Sequence, residues 1–213
     1  MNKKNFLLCV LIIFAANVDV FAQTRYHDPT YGYFKSKKTV SFGLKAGGQI
    51  SAVNKIHSNS EMRFPGLVVG ATVQIPLQNS TNCRLFLTPE LLYSQEGEKN
   101  NNIDGSIKQQ FFQDYLAHVI LLKGYFGNNN LLFAELGSKL SYMINHKNKE
   151  IDLGELNKYD FGLCLGGGIN PGRNDNFEIG ARLCLGLIDI YPGVNAKNNN
   201  ISGVVIFTYL FGI

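Results

Sequence analysis

His27, His57, His118 and His146 are the four side chains whose ordinary pKa suits a general base near neutral pH. Acyl or peptide hydrolysis would need one of them beside a nucleophile and held by a third group. His27 falls in an N-terminal segment without steady period, and His57 and His146 fall in two separate polar connections. His118 stands in an apolar stretch, and two places along its face is Ile120, not Ser or Thr. The spacing assembles no catalytic set, so the expectation is a protein that is not an enzyme.

Cysteine usage points the same way. An apolar run, 6–16, holds Cys9, and the rest of the chain holds Cys83, Cys164 and Cys184. Three is an odd number, whereas a disulfide framework in an exported protein is normally even. No CxxC or Cys/His spacing calls for a metal, and no cofactor is expected. The three read as small apolar fillers; a Cys164 to Cys184 bridge across neighbouring strands is the alternative.

The remaining chemistry lies in isolated charges. Lys45, Lys139 and Arg182 occur on the less apolar face of their stretches, as do Glu90, Glu135 and Glu178, with Lys123 and Asp160 as further candidates. The two signs balance. An unpaired charge in a partly dry interior costs several kcal/mol, so these residues read as a mutually neutralising structural plug in a lumen.

Eight stretches must position them. They cover 39–51, 66–77, 83–95, 110–126, 131–144, 158–170, 176–190 and 201–213, and each alternates apolar with small or polar residues. In the first, Val40, Phe42, Leu44, Ala46 and Ile50 oppose Ser41, Gly43, Lys45, Gly47 and Gln49; in the seventh, Phe177, Ile179, Ala181 and Leu183 oppose Glu178, Gly180 and Arg182. The connections alternate long and short, the long ones being 52–63, 96–108, 145–157 and 191–200. That pattern predicts an all-β fold, an eight-stranded antiparallel up-and-down transmembrane β-barrel over 39–213. Lys3, Lys4, the 6–16 run and Ala22 form a cleavable signal peptide, 1–22, and 23–38 follows as an N-terminal tail in the periplasm.

Alternation alone also suits a soluble lipocalin-like carrier with its apolar face turned inward. The other face argues against this, because Gly, Ser and Cys predominate where water would demand Lys, Glu and Thr. Such residues suit the cramped lumen of a small barrel, whose interior is filled by its own side chains and offers no solute channel. Tyr93, Tyr142, Tyr159 and Tyr209 stand near strand ends, where interfacial girdles form. Pro89 removes a ladder hydrogen bond and predicts a bulge. His118 faces outward in a stretch so apolar on both sides that its register is left open. The formal net charge of +4 forms no basic stripe and excludes a nucleic-acid partner.

Three segments carry a resemblance: Leu87-Thr88-Pro89-Glu90-Leu91-Leu92-Tyr93-Ser94-Gln95-Glu96-Gly97, the span from Asp114-Tyr115-Leu116 to Leu122-Lys123-Gly124-Tyr125-Phe126, and Asp160-Phe161-Gly162 to Gly166-Gly167-Gly168. Together they resemble the PorT-like outer-membrane β-barrel family of Bacteroidota. The resemblance implies an eight-stranded barrel with periplasmic termini and, from the founding member, a part in type IX protein secretion. In that family Tyr-Leu is followed by Glu-Ile-Pro, where this chain has Ala117, His118 and Val119 and so lacks one inward carboxylate. The expected partners are outer-membrane lipid, and envelope or secretion proteins reached through the long connections or the tail, with the barrel itself a monomer. The alternatives are the lipocalin-like carrier and a lipid hydrolase hosted on the barrel.

Overall fold

The computed structural model describes residues 40–53, 60–79, 84–101, 107–126, 131–149, 156–171, 176–192 and 198–212. The 1–22 and 23–38 segments, with His27, His57 and Cys83, lie outside the described residues.

Eight strands form one sheet: β1 (Ser41–Val53), β2 (Ser60–Asn79), β3 (Arg84–Asn101), β4 (Ile107–Phe126), β5 (Leu132–Lys149), β6 (Tyr159–Ile169), β7 (Phe177–Gly186) and β8 (Asn200–Gly212). Every strand pairs antiparallel with its sequence neighbour, and β8 returns to β1 to close a barrel. Closure matters because hydrocarbon offers no hydrogen bonds to an open edge. From Gly43 the ladder passes Thr72, Glu90, Val119, Lys139, Gly162 and Gly186, then continues past the Leu185↔Ile201 pair to meet β1 again at Val53. The ten-residue offset between Gly43 and Val53 is the stagger that tilts the strands of a small barrel by about 40°.

Strand extent differs from the sequence reading. Much of what the polarity of 52–63, 96–108 and 145–157 marked as loop is strand: β1 runs on to Val53, β2 begins at Ser60, β3 reaches Asn101 and β5 reaches Lys149. Beyond the apolar band a hairpin needs no greasy face, so polar residues continue the ladder there. We call this end of the barrel, which carries the connections after β1, β3, β5 and β7, the upper end.

Pro89 also departs from expectation, because no bulge forms. The β3–β4 ladder runs unbroken through Pro89↔Ile120, and on the other side Thr72↔Glu90 and Ile75↔Leu87 keep one register across it. The Thr72 hydroxyl donates to the Pro89 carbonyl at 3.3 Å. The register shifts lie elsewhere, as between Asp114 and Tyr115 of β4 and between Pro76 and Gln78 of β2.

Close approach of strands explains one glycine in particular. A Cβ on Gly137 would stand 1.9 Å from the Ile120 carbonyl oxygen and 2.8 Å from the Leu121 Cα, both backbone atoms that cannot swing aside. Gly137→Ala should therefore cost roughly 1–3 kcal/mol, the usual penalty of overpacking. Urea unfolding in lipid vesicles, which reads that loss as a lowered midpoint, is the check.

Candidate functional site

Six charged side chains form one chain of contacts through the lumen, alternating in sign. Lys45 Nζ lies 2.6 Å from Glu90 Oε1, and Arg182 grips the same carboxylate with Nη1 at 2.8 Å and Nη2 at 3.0 Å. Arg182 Nε donates to Glu135 Oε1 at 2.7 Å; Lys123 Nζ then joins Glu135 Oε2 at 3.3 Å to Glu178 Oε2 at 2.9 Å. Tyr125 OH and Gln74 Nε2 both donate to Glu178 Oε1, the latter at 2.9 Å. All six ionised groups are buried.

Sequence position concealed how they meet. Glu90, Arg182, Lys45 and Glu135 come from four strands, and only closure of the sheet brings β3 opposite β7. Lys123, the further candidate, is the link between Glu135 and Glu178, while Lys139 stands apart and pairs with Glu96. Reading 96–108 as loop had hidden Glu96, which is a lumen residue of β3 with no solvent exposure. Its even spacing after Glu90 and Ser94 was the available signal. Asp160, also buried, accepts from Asn200 Nδ2 at 3.3 Å, and that amide donates to Tyr115 OH at 3.1 Å as well.

Between the six-membered chain and this upper polar group lies an apolar layer that composition did not suggest. Val68, Leu92, Ala117, Val119, Leu121, Val204 and Ile206 pack with Cys164 and Cys184 in one buried cluster. Along β3, Leu92 separates Glu90 from Ser94; along β7, Cys184 separates Arg182 from Gly186; along β4, Ala117, Val119 and Leu121 separate Tyr115 from Lys123. The open register of β4 is thereby settled, with Tyr115, Ala117, Val119 and Leu121 inward and His118 outward. Cys164 and Cys184 face each other across β6 and β7 and are disulfide-bonded, with Cα atoms 4.2 Å apart.

The upper mouth is closed by residues that follow β7. Ile190 and Tyr191 pack on Val53, Tyr115 and Met143 with no exposure of their own. Asp189 Oδ1 holds the fold by accepting from the backbone N–H of Tyr191 at 3.0 Å and of Asn198 at 3.1 Å. Burial, with Glu98 adding to it, pushes the Tyr191 phenol well above its ordinary pKa, so it stays neutral.

The outer surface is the inverse of the lumen. Leu44, Leu136, Leu163 and Leu165 each expose half or more of their area, the last 62%. A soluble protein does not present such a continuous belt to water. Tyr93, Leu116, Tyr142 and Tyr159 occupy one ladder row towards the upper end, with the last two rings 5.1 Å apart. Phe42, Phe177, Tyr209 and Phe211 mark the other end. His118 pairs with Leu140, and Ser138 is the outward residue diagonal to it, paired with Ile120. A neighbouring strand thus supplies a hydroxyl that position along β4 does not.

A family model described as outer membrane protein beta-barrel domain matches residues 21–191. The chain belongs to that family. Its apolar belt is therefore the face that meets outer-membrane lipid, which removes the soluble-carrier alternative. Solved structures similar to this barrel include the outer membrane enzyme PagL, at 12% identity over 78% of this chain and 98% of that one, TM-score 0.48. The attachment invasion locus protein Ail of Yersinia pestis is 11% identical over 82% and 99%, TM-score 0.42. OprG of Pseudomonas aeruginosa is 13% identical over 85% and 100%, TM-score 0.42. No curated protein matches the chain.

Proposed function

We propose that this outer-membrane barrel is a non-enzymatic envelope protein that works through what its upper end and N-terminal tail contact, with the lumen as a structural stopper. The observation that carries this reading is the filled interior: among the described residues an ion-paired chain, an apolar layer and an apolar cap succeed one another along the lumen. In such a barrel the lumen charges serve folding, and contact falls to the connections beyond the lipid. The upper end faces the cell exterior, and residues 1–22 are an export leader, supported by Lys3, Lys4 and Ala22. The Pro89-Glu90-Leu91 to Ser94 run and the Leu121-Leu122-Lys123 segment support a PorT-like assignment and, with it, a part in type IX protein secretion.

Deletion of the gene followed by comparison of surface-exported proteins tests the secretion role. Loss of exported cargo is expected; an unchanged surface proteome, with envelope integrity also intact in variants lacking the tail, would overturn it. Because Ser138 lies diagonal to His118, the pure protein is also to be incubated with lipid A and with a peptide. No hydrolysis is expected from wild type or His118→Ala, and turnover lost in His118→Ala would identify a hydrolase instead.

A further inference from the structure

One side of the lipid-facing surface is not smooth. Across β6, β7, β8 and β1 the outward residues of one ladder row are Leu165, Leu183, Gly203 and Ile50, and the next row holds Ala181, Val205 and Gly48 on β7, β8 and β1. Gly203 thus leaves a gap between two long side chains, and Gly48 and Ala181 extend it diagonally. The space is real at both glycines: a Cβ on Gly203 would meet nothing nearer than Ile50 Cγ1 at 3.5 Å, and one on Gly48 only the Gly66 carbonyl at 3.9 Å. These residues line a cavity of about 510 Å³.

We propose that this slot seats a single acyl chain of an outer-membrane lipid, making the β6–β1 side of the barrel a defined lipid site. Three features favour that occupant. The slot is continuous with the belt that meets hydrocarbon. Its outward lining is entirely aliphatic or glycine, with no group to pair a headgroup or a polar partner. Its width follows from strand spacing: a missing side chain between Leu183 and Ile50, two strands apart at about 4.8 Å each, opens a channel suited to one extended chain. The ridges Leu165, Leu183 and Ile50 supply close dispersion contacts on both sides of such a chain. A second copy of the barrel is the rival occupant, since small outward residues also let two proteins approach closely.

The full-length mature protein, refolded into phosphatidylcholine vesicles that carry a diazirine on one acyl chain, tests the site by photolysis and mass mapping of adducts. Adducts are expected to be severalfold denser at 48–50, 181–183 and 203–205 than on the opposite face at Leu91, Leu116 and Leu136. Gly203→Leu should reduce the dense set to the level of the opposite face and leave the latter unchanged. Gly48→Leu repeats the test should Gly203→Leu fail to fold, as judged by gel mobility before boiling, and the wild-type map decides the matter alone if both fail. Adducts spread evenly round the barrel would overturn the proposal, as would wild-type chains cross-linked to each other through this face.

Discussion

Glu90→Ala is expected to destabilise the folded barrel by about 3–5 kcal/mol, the range for breaking a buried ion pair by removing one partner. Glu90 lies where Lys45, at 2.6 Å, and the Arg182 fork, at 2.8 and 3.0 Å, converge. Arg182 would keep Glu135, but Lys45 would be left buried with no carboxylate within ion-pair distance among the described residues. The cost arises from that stranded ammonium more than from the lost attraction. A variant that removes both charges, Lys45→Met with Glu90→Gln, should recover much of the loss, because no ammonium is then left buried without a carboxylate. Denaturant unfolding of the two variants in vesicles separates the cases; equal midpoints for Glu90→Ala and the double variant would show that Lys45 finds another partner.

The second large effect is expected from the Cys164–Cys184 bridge. The β6–β7 seam is paired only over Gly162–Ile169, whereas β3 and β4 pair from Arg84 to Asn101. Glycine at 162, 166, 167, 168, 180 and 186 further deprives this seam of cross-strand side-chain contacts. The bridge crosses its middle and closes a loop with a sequence separation of 20, worth about 3 kcal/mol in the chain-entropy account. Cys164→Ala with Cys184→Ala should therefore lower the unfolding midpoint while leaving the barrel closed, as reported by retained gel mobility before boiling. Mass mapping without reductant that finds both thiols free in wild type would refute the assignment.

Strand number, strand direction and the two faces of each strand were legible in the residues, because side-chain alternation in a strand is local and survives any choice of neighbours. Leu44 against Lys45, or Leu183 against Arg182, needs no knowledge of the rest of the chain. The eight extended segments follow from that period, and the structure joins them into one closed sheet. Strand ends were not legible, since the ladder continues through polar residues such as Glu98 and Lys99 once it leaves the lipid.

What only the tertiary structure decided is who meets whom across the lumen. Contacts such as Arg182 to Glu90, 92 residues apart, are set by the stagger with which the sheet closes, a property of the whole ring and of no single segment. The same closure put Lys123 between Glu135 and Glu178, moved Lys139 to Glu96, and gathered Val68, Leu92 and Val204 into an apolar layer that no one strand displays. Stretch 110–126, apolar on both faces, shows the limit most directly. Its sequence admits two registers, and its neighbours on either side select the one that turns Tyr115 and Lys123 inward.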